Sequence, residues 1–214
     1  MPPVIQLTRR AAVRDDADLA VLQRTFAQQH CARLSGLLEP ALLVEIRFHI
    51  ERGEFREFAH GAIATEQRLE PGIGSGLLHF LVNDPRLFRL VQDVSGCTGI
   101  GAFAGRVYRR FPGDRHYDHW HSDTHDARRL IGMSVNLSAD VYEGGVFEIR
   151  DVESERPIAS LPNVGVGDAI LFRLTDALEH RVSNVSGRFP KTAFAGWFHA
   201  GLDYDKLLHD PDAA

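Results

Sequence analysis

The sequence predicts a mainly β protein, a sandwich or barrel of short strands preceded by several α-helices, and three observations carry that expectation. Residues 100–111, 129–138, 145–151, 156–161, 168–174, 180–186 and 191–199 are short, rich in Val, Ile and Phe, and separated by clusters of Gly, Pro, Asn or Asp, the texture of strands without intervening helices. Before them, apolar residues recur at helical spacing. A length of 214 residues, 44% hydrophobic and 25% charged, suits one domain with a substantial core. Residues 1–214 are therefore read as a single domain, about 15–95 forming its helical N-terminal part and about 100–199 its β core.

Taken in order, Asp15-Asp16 is placed to cap a helix in which Leu19, Leu22 and Phe26 form one buried stripe. A second helix starts at Glu39-Pro40, buries Leu43, Ile46 and Ile50, and ends at Gly53. Residues 59–65 suggest a strand, and Asn83-Asp84-Pro85 opens a third helix that runs to about Val94 before Ser95-Gly96 breaks it. The β segments follow, and Asp210 to Ala214 look like a frayed tail.

Composition narrows the function classes. No window approaches the roughly 18 apolar residues of a membrane span, so a soluble protein is expected. The opening Met-Pro-Pro-Val-Ile-Gln-Leu-Thr-Arg-Arg lacks the apolar core and small-residue cleavage site of a signal peptide. With Cys31 and Cys97 as the only cysteines, a disulfide framework is not expected, and a reducing, cytoplasmic setting is. A net charge of −5 argues against nucleic acid as a partner.

The chemistry is expected at Asp118-His-Trp-His-Ser-Asp123, where His121 and Asp123 stand two apart. On an extended strand, side chains at that spacing leave one face and can grip one metal ion. A distant His180, in Glu-His-Arg-Val-Ser-Asn-Val, completes two histidines and one carboxylate, the facial triad that non-haem Fe(II) oxygenases use to keep coordination sites free for a co-substrate and oxygen. Lys191 opens the last strand at an inward position that would otherwise favour an uncharged residue. There it could pair with a dicarboxylate co-substrate. Arg188 is the rival for that role, but Gly187 to Pro190 reads as a turn.

The motifs come in an order that resembles the Fe(II)/2-oxoglutarate dioxygenase superfamily, its prolyl-4-hydroxylase-like branch in particular. The matching stretches are Val107 through Gly113, His121-Ser122-Asp123, Tyr142 through Glu148, Val166 through Phe172, His180-Arg181-Val182, and Lys191 through Phe198. The resemblance implies a double-stranded β-helix, or jelly roll, with His121, Asp123 and His180 as catalytic iron ligands and Lys191 on the distal carboxylate of 2-oxoglutarate. Thr192 and Tyr108 are helpers by the same comparison, although Tyr108 reads equally well as a core tyrosine. Tyr117 stands four residues before His121 where the family pattern has three. The implied cofactors are Fe(II), 2-oxoglutarate and O2, with ascorbate as a candidate reductant. The implied reaction hydroxylates an unactivated C–H bond of an amino acid or peptidyl residue, proline among them, and releases succinate and CO2. The expected partner is thus a small-molecule or peptide substrate. Aspartate at 123, where glycine or alanine would leave a site for halide, favours hydroxylation over halogenation.

Two rival readings come from other classes. His119, His121, Asp123 and His125 form H-x-H-x-D-x-H, close to a zinc-dependent hydrolase motif, but the strand-only texture downstream lacks the helices such a fold needs. A cupin-like metal-binding protein without oxygenase activity would have no use for Lys191. His116, His119, His125 and His199 read as solvent-facing or supporting, and Trp120, Arg128 and Arg129 as residues of a substrate mouth or of ordinary packing. Glu143-Gly144-Gly145 is expected to turn tightly and Asp168 to form a turn. Gly99, Gly101 and Gly105 precede a β-like run and so fail as a dinucleotide loop.

Overall fold

Alternation along the long strands separates two environments. The computed structural model describes residues 3–10, 12–15, 18–162 and 165–201. In chain order it comprises β1 (Ile5–Leu7), β2 (Ala12–Arg14), α1 (Leu19–Gln29), β3 (Cys31–Leu34), α2 (Pro40–Glu51), β4 (Phe55–His60), β5 (Ala64–Leu69), α3 (Ile73–Val82) and α4 (Pro85–Ser95). These are followed by β6 (Ile100–Arg110), β7 (Arg129–Asn136), β8 (Glu143–Gly144), β9 (Phe147–Asp151), β10 (Pro157–Leu161), β11 (Ala169–Arg173), β12 (Leu178–Val182), β13 (Val185–Ser186) and β14 (Lys191–Ala200). A large antiparallel sheet runs β3-β11-β7-β14-β6-β5-β4, and a smaller one runs β10-β9-β12. The architecture is a double-stranded β-helix with helices on one side.

One face of the large sheet presents Phe103, Val107, Ile131, Met133, Val135, Leu171, Phe194 and Phe198, which pack with Ile46 and Ile50 of α2, Leu78 and Val82 of α3, and Leu87, Leu90 and Val91 of α4. The alternate residues point towards the small sheet, where Ile170 and Phe172 meet Phe147, Ile149, Leu178 and Val182. Period-two alternation thus assigns every other residue of β6, β7, β11 and β14 to the space between the sheets. The metal-binding candidates lie there.

The second and third expected helices form as read. Asp84 accepts the Arg86 N–H at the start of α4, and Gly96 closes it in the left-handed region. The cap of α1 is corrected: Asp18 occupies it without a side-chain bond, while Asp15 donates its backbone N–H to Val4, and Asp16 lies outside the described residues. The strand expected at 59–65 is a hairpin instead, β4 and β5 joined across Gly61 with φ +55°. Helix α3 escapes sequence reading because its first turn is rich in glycine, and glycine costs a helix about 1 kcal/mol. Packing supplies the reason for one of them: a Cβ on Gly74 would stand 3.0 Å from Ile50 Cγ1 and 3.2 Å from Ile50 N, so α2 and α3 approach backbone to side chain. Residues 180–186 divide into the ends of two strands, β12 and β13. The expected tail at 210–214 lies outside the described residues. Among the described residues, no helix is long and apolar enough to cross a membrane.

Candidate metal centre

The residues His121 and Asp123 do share a site, but not for the reason their spacing suggests. The stretch after β6 is irregular, and Asp123 takes φ +61°, a left-handed conformation that aspartate tolerates better than most residues. His121 is fixed by an isolated bridge to β12: its N–H donates to the His180 carbonyl at 3.1 Å, and the His180 N–H donates back at 2.9 Å. The backbone that aligns the first histidine is therefore that of the third ligand candidate. Asp123 then turns its carboxylate onto both rings, with Oδ2 3.6 Å from His121 Nε2 and 3.4 Å from His180 Nε2. All three ligand atoms fall within 4.8 Å of one another.

Supporting contacts orient each group. His121 Nδ1 lies 2.7 Å from the His119 carbonyl, which assigns its proton to Nδ1 and leaves Nε2 facing Asp123. His180 is 5% exposed and its ring sits against Phe172 and Phe147 at 4.6 and 5.9 Å. Asp123 Oδ2 accepts the Trp197 Nε1–H at 3.0 Å, and Oδ1 lies 3.4 Å from Arg129 Nη1, whose guanidinium stacks 3.6 Å over the Trp197 ring. Trp120 beside His121 is clasped between Arg150 and Arg181, each 4.5 Å from its ring, and those arginines pair across β9 and β12 with Glu179 and Glu148. The loop is thereby latched to the small sheet.

Electrostatics fit a cation at the centre. Burial disfavours the charged form of His121, yet Asp123 and Asp118 push its pKa up to about 9. Burial likewise opposes ionisation of Asp123, and the two imidazoles reverse that, holding its carboxyl below the usual range. Burial lowers the pKa of His180, keeping its imidazole neutral and free to donate a lone pair. A neutral His180, a His121 imidazole held cationic by its carboxylate neighbours and an ionised Asp123 make a centre that stabilises positive charge, and a divalent first-row metal can take the place of the His121 proton there.

An inner cavity of about 60 Å³ adjoins these three residues and is walled by Tyr108, Arg110, Ser134 and Phe172. An outer pocket of about 290 Å³ shares Arg106, Asp118 and Trp197 with it and is closed by His60, Thr124 and His125. Tyr108 thus reaches the site. Lys191 is 1% exposed and donates from Nζ to the Gly145 carbonyl at 2.6 Å. Burial first, then the nearby Arg110, lower its pKa to about 7 against the pull of Asp118. The expected Glu143 to Gly145 turn supplies that carbonyl, with Gly144 and Gly145 at φ +67° and +57°. Arg188 is exposed and lies 5.3 Å from Phe189, away from the cavity.

Thr192 is not brought to the site. One residue from Lys191, it faces the helices, and its hydroxyl accepts from Arg109 Nε at 3.1 Å, with Arg109 bound in turn to Glu51 of α2. The H-x-H-x-D-x-H string also parts: His119 and His125 are exposed, and among the described residues only His121, Asp123 and His180 form a metal-ligating group. His116 accepts the Phe111 N–H and contacts Glu57, a structural role, and Tyr117 lies tilted against His119 with ring centres 4.7 Å apart. Sequence reasoning missed Arg106 and Glu66, and gave Arg110, Asp118 and Trp197 no role although they lie within the stretches it singles out. Period two from Tyr108 picks out Arg106 and Arg110, but no pattern marks Glu66, which lies on β5 just beyond the strand expected at 59–65.

Residues 105–199 match the family model described as 2OG-Fe(II) oxygenase superfamily. No curated protein matches the chain. Among solved structures, a 2OG-Fe(II) oxygenase family oxidoreductase from Burkholderia pseudomallei is similar at a TM-score of 0.68 and 16% identity, covering 91% of this chain and 95% of that one. A Pseudomonas putida prolyl-4-hydroxylase gives 0.63 and 19%, covering 85% and 98%. The α-ketoglutarate-dependent epimerase SnoN of nogalamycin biosynthesis gives 0.61 and 16%, covering 87% and 84%. At these identities the likeness is one of fold.

Proposed function

We propose that this chain, whose residues 105–199 belong to the 2OG-Fe(II) oxygenase superfamily and which is a 2-oxoglutarate-dependent dioxygenase, hydroxylates an unactivated C–H bond of an amino acid or peptidyl residue, proline among the candidates. The observation that carries the assignment of residues is the convergence of His121, Asp123 and His180 within 4.8 Å at the border of two cavities. Their role is to hold Fe(II), His121 and His180 through Nε2 and Asp123 through Oδ2. Bound there with 2-oxoglutarate and O2, the metal supplies the oxidising power that couples decarboxylation to succinate and CO2 with insertion of oxygen into the substrate.

The remaining work belongs to the protein. Trp197 and Arg129 fix the rotamer of Asp123 by occupying its outward lone pairs, so that one carboxylate oxygen is presented between the imidazoles. The His119 carbonyl holds the proton of His121 on Nδ1. Phe147 and Phe172 exclude water from His180. Lys191 attracts the distal carboxylate of 2-oxoglutarate at the closed end, with Tyr108 beside it. The outer pocket, with His60, Thr124 and Trp197, receives the substrate, and its size suits a small molecule or one residue of a peptide. Free Cys31 and Cys97 go with a reducing, cytoplasmic setting.

The test is anaerobic addition of Fe(II) and 2-oxoglutarate to metal-free protein. A weak visible charge-transfer band is expected in wild type and is lost in His180→Ala. Asp123→Ala is expected to abolish turnover. Hydroxylation retained by Asp123→Ala, or tight zinc binding with no band in wild type, overturns the assignment.

A further inference from the structure

Helix α3 turns an apolar face to water. From Ile73 to Val82 it carries no charged side chain, and Gly74, Leu78 and Val82 point into the core. At 3.6 residues per turn the opposite face is Ile73, Gly76, Leu77 and Phe80, without a polar group among them. Ile73 is 65% exposed and Phe80 81%. The polar side chains of the helix lie on its flanks and are satisfied within the chain. Ser75 Oγ accepts the Gly72 N–H, and His79 donates from Nδ1 to the Ser75 carbonyl at 2.8 Å while Nε2 accepts the Gly105 N–H. The neighbouring α2 adds Val44 and Phe48, 68% and 53% exposed, on the side away from its buried Ile46 and Ile50. A helix that is apolar on every side belongs inside a protein.

Gly76 is a second and independent sign. Glycine within a helix lowers its stability, so it calls for a reason. Gly74 has one in the close approach of α2, but a Cβ on Gly76 would meet nothing within 4 Å. It sits near the middle of the outward face, between Ile73 and Phe80, where the missing side chain lets a second backbone come close.

We propose that this face is the interface of a homodimer, in which α3 crosses its own copy at Gly76 about a two-fold axis and α2 flanks the crossing. The area agrees. The four exposed side chains leave roughly 400 to 500 Å² of apolar surface in water, taking about 150 to 200 Å² for each one whole. A standard interface buries about 800 Å² on each partner, and at about 65% apolar for a homodimer that is roughly 500 Å². Charge agrees as well: the chain carries −5 overall, yet the uncharged face of α3 brings no like charges together when it meets itself. A lipid surface fits less well, because helices that lie on membranes carry Lys or Arg beside the apolar face and α3 has neither.

Light scattering and sedimentation velocity on the purified chain test this. Wild type is expected to show the mass of a dimer at about 10 µM, with a melting temperature that rises with protein concentration. Phe80→Glu sets two carboxylates against each other across the axis and is expected to give a monomer whose melting temperature is independent of concentration. At so exposed a position the variant leaves the fold of the single chain intact. Gly76→Ala separates an interface from an idle glycine. Added to Phe80→Glu it raises the melting temperature of the monomer, since alanine favours the helix. In the wild-type background its methyl group holds the two backbones apart and weakens the dimer by roughly tenfold or more. A wild-type monomer at about 100 µM overturns the proposal, as does a dimer that Phe80→Glu leaves intact or that Gly76→Ala does not weaken.

Discussion

Replacing Lys191 with methionine should make the ligand-free protein more stable and the co-substrate complex weaker. Lys191 is fully buried beside Arg110, with Tyr142 at 5.5 Å and the Gly145 carbonyl as its hydrogen-bond acceptor. Asp118 is the carboxylate that counters it. A fall in pKa from 10.5 to about 7 sets the charged form against roughly 5 kcal/mol of desolvation and repulsion, at about 1.4 kcal/mol for each tenfold change in proton affinity. Methionine fills a similar volume and removes that penalty, but it forfeits the bond to Gly145, worth about 1 kcal/mol. A net gain of about 1 to 3 kcal/mol at pH 7 follows, within the range found when buried charges give way to apolar side chains.

The pH dependence separates this account from simple packing. Between about 7 and 10.5 the unfolded chain binds the lysine proton and the folded one does not, so wild-type stability rises with pH across that window. The methionine variant lacks that slope, and its advantage should shrink as pH rises. Urea denaturation of both ligand-free proteins at pH 7 and pH 9.5 measures it. A carboxylate arriving at Lys191 raises its pKa again, so at pH 8 binding of 2-oxoglutarate should take up protons in wild type and not in the variant. Calorimetry in buffers of low and high ionisation enthalpy reads that uptake. A methionine variant less stable than wild type at pH 7, with an unchanged pH slope and unchanged proton uptake, would refute the reasoning.

Two further substitutions probe the walls of the site. Trp197→Phe keeps the ring under Arg129 but deletes the Nε1–H bound to Asp123 Oδ2 at 3.0 Å; Mn(II) affinity should drop by roughly 10- to 100-fold with little change in melting temperature, as titration calorimetry and thermal denaturation would report. Thr192→Val removes a hydroxyl that serves Arg109 on the helical side of β14, so 2-oxoglutarate affinity should stay within about twofold of wild type; a tenfold loss in the same anaerobic titration would return Thr192 to the site.

Much of the fold was legible because its strands obey simple rules. Segments read at 100–111, 129–138, 168–174 and 191–199 correspond to β6, β7, β11 and β14, whose alternation is enforced by a helix-covered core on one face. What escaped was decided by tertiary contact. Helix α3 begins in a glycine-rich turn that local propensity argues against, and Gly74 is where α2 closes on it. Strand β3, four residues long, is a strand because β11 pairs with it from residue 169 onward. Neither signal is local to its own segment.

The site divides in the same way. His121, Asp123, His180 and Lys191 could be singled out by residue type and order, yet the strand geometry assumed for the first two does not hold. A left-handed Asp123 and a backbone bridge between His121 and His180 bring the three donors together, and both depend on where β12 lies. The same dependence explains Arg110 and Thr192. Each is next to a residue that the sequence marks, and a one-residue step along a strand changes the face: from Tyr108 two steps reach the cavity at Arg110, whereas from Lys191 one step turns Thr192 to the helices. Parity along β6 and β14, once the register fixes Lys191 opposite Arg110, decides which charges face the space between the sheets. A one-residue slip of β14 would turn Lys191 to the helices and bring Thr192 opposite Arg110, so the register of β14 on β6 sets which side chains of the last strand face the space between the sheets.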